Sequence, residues 1–281
     1  MKKLSVSQNF LVNSDFINKL VSDSSLSSDD LVIEIGSGKG IITEVLSNTA
    51  KEVIAVEYDH RLFLELKNRF ANTPNVKVLN VDFLKYSLPD GCFKIFSNPP
   101  FNISSDILNR LLKLPNNLDV AYLFLQDKTV ERFVNEINQV AVLYKPFYDI
   151  SIVKKVNRNE FNPVPNVDIV FAKFQKVNHP QVDISNYQLY RDFVIYGFNQ
   201  WKPSIIESFS KVFTKEQFRL INKKNNISNL KPSELKLNQW IDLFDTFMAY
   251  VPSDKKIVVD GFEQTLRSKQ KKMTKRHRTN I

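Results

Sequence analysis

The sequence predicts an α/β protein in two parts, a doubly wound sheet over residues 1–175 and a small helical domain over 176–263, with a basic tail over 264–281. Three observations carry this. Short runs rich in Val, Ile and Phe alternate with segments of helical spacing, the pattern of strands joined by crossover helices. Four of the runs are almost continuously apolar, as strands covered on both faces are. Beyond about residue 175 the strand-like runs stop and only helical patterns remain.

In order, LVIEI (31–35), VIAVE (53–57), VKVLNV (76–81), FKIFS (93–97), VAYLFLQ (120–126) and VDIVFAKF (167–174) read as strands. Between them, Ile41–Asn48, Arg61–Phe70, Ser105–Leu112 and Val130–Asn138 carry helical spacing. VNHPQVDISN is loop-like. Then come three helices: Tyr187–Phe198, a short one over Lys215–Asn222 begun by Thr214, and Leu237–Tyr250 with Asn238 or Ser233 as its cap. In a doubly wound sheet, ligands bind beyond the carboxyl ends of the strands, where the strand order reverses. The chemistry-bearing motifs are expected there.

At 281 residues the chain buries roughly 70–75% of its extended surface and needs no disulfide or structural metal. Cys92 is its one cysteine, and His60, His179 and His277 are too scattered for a Cys/His cluster, so no metal site is expected. With one thiol and no leader pattern the chain reads as cytoplasmic. Apolar runs such as Val120–Leu125 fall far short of the about 20 residues of a membrane span. The net charge of +9 is unevenly placed: residues 1–175 balance to zero, 176–263 carry +2, and 264–281 carry seven basic residues and no acid. That block predicts a disordered tail whose run Arg267–Arg278 holds phosphates in a salt-sensitive way.

Glu34-Ile35-Gly36-Ser37-Gly38-Lys39-Gly40 joins a strand to a helix. Gly36 and Gly38 allow a tight turn and a close approach to a ligand. The spacing is neither that of a triphosphate-binding loop nor the dinucleotide fingerprint. Glu57 ends the second strand, placed to accept both hydroxyls of a ribose. Asp82, at the end of the third, is placed to accept from the exocyclic amine of adenine, with Phe83 as an apolar wall. Three such strand ends describe a pocket for an adenosyl group without phosphates.

The fourth strand runs into Ser97-Asn98-Pro99-Pro100-Phe101-Asn102. The amine of adenine is a poor nucleophile because its lone pair is delocalised into the ring. The Asn98 side-chain oxygen and the Pro99 carbonyl can hold its two hydrogens and favour pyramidalisation, while Phe101 stacks on the ring, worth roughly 1–3 kcal/mol. A cytosine-C5 mechanism needs a thiolate nucleophile at a strand end. Cys92 precedes its strand, which excludes it.

These motifs, with Ser7-Gln8-Asn9-Phe10-Leu11 before them and Phe161-Asn-Pro-Val-Pro-Asn-Val-Asp168 after, resemble the rRNA adenine N6-methyltransferase family, which includes the Erm-type macrolide-resistance enzymes and the small-subunit rRNA dimethyltransferases. The resemblance spans residues 7 to about 174. It implies a Rossmann-like methyltransferase domain and S-adenosylmethionine as cofactor, contacted by Asn9, Leu11, Gly36, Gly38, Glu57, Asp82, Phe83 and Asn98. It further implies catalytic roles for Asn98, Pro99, Phe101 and Phe161, the two aromatic rings sandwiching an adenine flipped out of its stack. Two positions depart from the family: Pro99 stands where Ile or Leu is usual, and Phe101 where Tyr is frequent. Asn-Pro-Pro-Phe also occurs in DNA adenine methyltransferases, but these explain neither the N-terminal motif nor the small helical domain. Within the family, that run and the Lys-Arg-His-Arg-Thr terminus look more like the 23S rRNA resistance enzymes than the 16S rRNA dimethyltransferases, acting on free or precursor RNA as a monomer.

Overall fold

Strand and helix alternate as the apolar runs predict. The computed structural model describes residues 9–272. Its first unit, running to Glu131 and resuming at Asp149–Lys176, contains β1 (Phe10–Leu11), α1 (Ser14–Ser22), β2 (Leu31–Ile35), α2 (Ile41–Ser47), β3 (Glu52–Glu57), α3 (His60–Arg69), β4 (Val76–Asn80), β5 (Phe93–Ser97), α4 (Ser104–Leu111) and β6 (Leu118–Gln126). The chain continues through α5 (Asp127–Val134), α6 (Gln139–Tyr144), β7 (Tyr148–Val156), β8 (Phe161–Asn162) and β9 (Ile169–Lys176). Seven strands form one sheet in the order β4-β3-β2-β5-β6-β9-β7. β2 pairs in parallel with β3 on one side and β5 on the other, while β9 runs antiparallel to β6. The order therefore reverses between β2 and β5, and the glycine loop and the Asn-Pro-Pro-Phe turn leave these two strands side by side.

The strands form where they do because their apolar side chains are covered: Val32, Val53, Phe96, Phe124 and Phe171 are all buried in one cluster. Its aromatic centre is tight, with the Phe124 and Phe171 ring centroids 4.8 Å apart. Each such ring contributes roughly 1.5–3 kcal/mol of burial. Local signals fix the helix starts. Asn13 accepts from the Phe16 N–H to begin α1, and Asp59 caps α3 through the Arg61 and Leu62 N–H groups.

The sequence reading misses β7 and places α5 late. β7 carries Val153-Lys154-Lys155 on a half-exposed edge and shows no regular alternation. The segment expected as helix over Val130–Asn138 folds as Asp127–Val134 instead. The boundary at 175/176 also needs a second cut. Residues Arg132–Tyr148 belong to the second unit with those from Val177 onward, because α6 buries Ala141, Val142, Leu143 and Tyr144, and Tyr190 donates to the Val142 carbonyl at 2.9 Å.

The second unit continues with α7 (Tyr187–Phe198), α8 (Ile205–Ser208), α9 (Lys215–Asn225), α10 (Leu237–Tyr250), α11 (Ser253–Lys256) and α12 (Phe262–Lys272). Its core is aromatic: the Phe193 ring lies 4.6 Å from Phe209, 4.9 Å from Phe247 and 6.2 Å from Trp240. Thr214 begins α9 through a capping box with Gln217, whereas α10 is capped by Lys236, whose N–H donates to Gln239, and not by Asn238 or Ser233.

Residues 264–272, expected to be disordered, continue α12 as helix. The reason is a buried polar anchor. Glu263 accepts a two-pronged contact from Arg191 at 2.9 and 2.7 Å and a further bond from Arg267, while Asp192 accepts from the Gly261 and Glu263 N–H groups. The rest of the basic run, from residue 273 on, lies outside the described residues, as do Ser7 and Gln8 of the N-terminal motif.

Candidate functional site

The glycine loop is held by its own backbone. Gly36 and Gly38 have φ of 73° and 56°, which favour glycine. A Cβ on Gly38 would lie 2.8 Å from the Phe10 ring, and one on Gly36 would lie 3.1 Å from Pro100. The N–H groups of Gly36 and Ser37 donate to the Val56 carbonyl, that of Gly38 to Glu57 at 2.8 Å, and that of Gly40 to the Ser37 carbonyl. A loop whose donors are spent internally is no phosphate cradle, and suits a ligand without phosphates.

Glu57 is 2% exposed, and its two oxygens accept from the N–H groups of Gly38 and Asp59 at 2.8 and 2.7 Å. Each oxygen keeps a lone pair for a hydroxyl. Glu57 therefore braces the loop, a role its position in the sequence does not show. Glu34 lies beside it, fully buried, accepting from the Thr43 hydroxyl. Burial first, then the charge of Glu57, pushes the Glu34 carboxyl up to about 8. Asp82 caps the turn Phe83–Lys85 with one oxygen on the Leu84 N–H, and Phe83 is buried beneath the Arg110 guanidinium.

Ser97, fully buried, both donates to the Ile35 carbonyl at 2.6 Å and accepts its N–H at 3.1 Å. This pins the end of β5 to the end of β2 and so fixes where Asn98 begins. The Asn98 amide donates to the Asn9 carbonyl at 2.8 Å, and its side-chain oxygen is buried with no partner. Since the Asn9 carbonyl can only accept, this orientation is dictated: the oxygen must be the free end. Asn9, Phe10, Gly36, Asn98, Pro100 and Phe101, with Pro99, line one cleft, and Phe101 is half-buried in its wall. The Pro100 carbonyl is taken up by the Ile103 N–H within the turn.

The N-terminal segment and the Phe161-Asn-Pro motif meet in a two-stranded sheet, β1 against β8, with Leu11 opposite Phe161. The Asn9 side chain donates to the Pro163 carbonyl at 2.6 Å. Two expectations change here. Phe161 is 1% exposed, its ring edge-on to Phe124 in the core, so in this structure it does not offer a face for stacking, whereas the half-buried Phe101 lines the cleft. The Leu11 side chain is likewise core, leaving it only main-chain atoms for a ligand. The order of the motifs says nothing of which way a side chain points. Pro163, which anchors Asn9, and Ser97 stand inside the motifs, but their residue types do not show these positioning roles.

Among the described residues no group of His, Cys, Asp and Glu could hold a metal, and no helix is long and apolar enough to cross a membrane. Cys92 is exposed at the start of its strand. The cleft thus sets an orphaned buried acceptor, the Asn98 side-chain oxygen, beside the first glycine of the loop. Residues 1–248 match the family model "Ribosomal RNA adenine dimethylase". A Bacteroides fragilis rRNA adenine N-6-methyltransferase is 30% identical over 258 residues, covering 89% of this chain and 97% of the relative. A ribosomal RNA small subunit methyltransferase A of Malacoplasma penetrans is 29% identical over 252 residues, covering 85% and 90%. The crystal structure of the 23S rRNA methyltransferase ErmE superposes with a TM-score of 0.76 at 24% identity, over 85% of this chain and all of that one, and supports the fold. The chain belongs to the ribosomal RNA adenine dimethylase family, enzymes that use S-adenosylmethionine to methylate N6 of adenine in rRNA.

Proposed function

We propose that this enzyme methylates one adenosine of 23S rRNA at the macrolide site and thereby confers resistance to macrolides, lincosamides and streptogramin B. The observation that carries the chemistry is the free, buried Asn98 side-chain oxygen. Asn9, Gly36, Gly38, Glu57, Asp82 and Phe83 would hold the cofactor, Leu11 contributing main chain only. Bound S-adenosylmethionine supplies an electrophilic methyl carbon on a sulfonium.

The protein's own part is positioning. Asn98 Oδ1 and the Pro99 carbonyl accept the two hydrogens of the target amine, turning its lone pair out of the ring. Phe101 stacks on the flipped base, and Phe161 supports the site from the core. No general base of shifted pKa is needed, because the proton can leave after transfer. Orientation and exclusion of water then do most of the catalysis. Methylation would add bulk and remove a hydrogen-bond donor where the drug binds.

The basic run Arg267–Arg278 would hold RNA phosphates, and the enzyme would act as a monomer in the cytoplasm. The choice of 23S rRNA rests on the Asn-Pro-Pro-Phe run and the Lys-Arg-His-Arg-Thr terminus. A 16S rRNA dimethyltransferase is the second reading, supported by the small-subunit relative. Expression in a susceptible bacterium under erythromycin, followed by primer extension on both rRNAs, tests this. A stop at the 23S site with growth under drug is expected; an unmodified 23S rRNA with a doubly methylated 16S helix end would replace this reading with the second. Mass spectrometry of the nucleotide fixes the methyl count.

A further inference from the structure

The second unit buries most of its aromatic rings; among the described residues Tyr250 is 63% exposed and Trp201 more so. Trp201 is 81% exposed and has φ of 54°. Single exposed apolar residues are ordinary on a protein surface. A bulky residue in the left-handed region is not, because its Cβ crowds the backbone and glycine would sit there without strain. Strain kept at an exposed position points to a use for the side chain.

The segment that presents the ring is short and tied at both ends. At the end of α7, the Asn199 and Gln200 side chains donate to the Ile195 and Tyr196 carbonyls at 2.7 and 3.1 Å. Pro203 restricts the backbone just beyond, and Ser204 then caps α8 through the Glu207 N–H. The indole is thus held outward on a stiff six-residue connection, 199–204, which lowers the ordering cost of any contact it makes. Residues 199–204 carry one cation, Lys202, and no acid. An exposed flat π face next to a lysine is the chemistry that stacks an unpaired base and holds the adjoining phosphate.

We infer that Trp201 is a stacking platform for an unpaired base of the substrate RNA, with Lys202 on a neighbouring phosphate. The inference rests on the rRNA substrate reading above. Both contacts are available in any sequence, so they serve affinity and grip rather than choice of target.

The chain has two tryptophans, and the other, Trp240, is fully buried, so the difference in fluorescence between wild type and Trp201→Phe isolates the exposed indole. RNA hairpins carrying the 23S target loop or the 16S helix end are titrated in turn. Saturating RNA is expected to quench that difference signal. Trp201→Ala should weaken RNA binding about 5- to 150-fold, the equivalent of losing one base–aromatic stack, with Trp201→Phe recovering most of it and cofactor affinity unchanged. Lys202→Ala should lower the salt slope of binding by about one. Trp201→Gly separates a functional ring from a structural one: it should raise the melting temperature by relieving the backbone, yet bind RNA as poorly as the alanine variant. Wild-type affinity in Trp201→Ala, an indole blind to bound RNA, or a lowered melting temperature in Trp201→Gly would overturn the platform alone. Failure of the wild-type protein to bind either hairpin would overturn the substrate reading and the platform with it.

Discussion

The Asn98 amide donates to the main-chain carbonyl of Asn9 at 2.8 Å, and this one bond turns its side-chain oxygen into the free acceptor of the cleft. Because the partner is main chain, no substitution of Asn9 deletes the bond directly. Asn98→Ala should abolish methylation while leaving S-adenosylmethionine affinity within about tenfold, since the lost group acts on the target amine. Asn9→Ala removes the tie to Pro163 together with its proposed side-chain contact to the cofactor, so it should raise the cofactor KM and, through a loosened Asn98, lower kcat by about fivefold, about the worth of one hydrogen bond. Titration calorimetry beside a methylation assay checks both. An Asn98→Ala enzyme turning over at wild-type rate would defeat the mechanism.

Glu57 serves both the loop and the ligand, and the two roles can be read apart. Glu57→Ala should cost stability without any cofactor present, about 1–3 kcal/mol for each N–H left without an acceptor, and should also weaken cofactor binding by roughly 1.5–3 kcal/mol per lost hydroxyl contact. Glu57→Gln, which keeps one acceptor oxygen, should fall between. Thermal unfolding with and without S-adenosylmethionine measures both terms. If the melting temperature of the cofactor-free protein is unmoved, the bracing role is wrong.

The Glu34 carboxyl is raised by burial, with the Glu57 charge adding to it, from 4.5 to about 8. Between these values the folded protein keeps a proton that the unfolded chain releases, so this group's contribution falls as pH rises through that window. Glu34→Gln preserves an acceptor for Thr43 and removes the titration. Its melting temperature should vary less between pH 5 and 8.5 than that of the wild type and be higher at pH 8. Parallel curves for the two proteins would contradict this.

In the second unit the sign is opposite. Burial alone would raise the Glu263 carboxyl, but the Arg191 guanidinium, with Arg267 and Gln188, holds it down at about 2. The stability it contributes is present above 4.5 and lost as pH falls toward 2. Glu263→Gln leaves Arg191 buried without its counter-charge and should cost about 3–5 kcal/mol at pH 7. Denaturant unfolding reads this, and helix content should fall as α12 loosens. Salt-dependent RNA binding should weaken with it, because the first part of the basic run rides on that helix.

Much of the fold is written in local pattern. β2, β3, β5 and β6 are almost continuous apolar runs, and a run covered on both faces has little other use. α7 and α10 begin and end where their periodicity does. β7 is unreadable because an edge strand exposes much of its length, and β1 and β8, at two residues each, are too short to carry a pattern. α6 shows helical apolar residues but not which core they join.

For the site, residue types at strand ends are enough to bring Gly36, Gly38, Glu57, Asp82 and Asn98 to one edge of the sheet. That follows from chain direction: in parallel strands all carboxyl ends lie together, so motifs at successive ends must converge. Which atoms face the ligand is a matter of packing between segments far apart in sequence. Asn98 keeps its oxygen free because Asn9, 89 residues earlier, occupies its nitrogen. Phe161 turns into the core because β8 pairs with β1, and the tail becomes helix because Arg191 meets Glu263. Composition and periodicity carry no information on these pairings; they exist only once the chain has closed on itself.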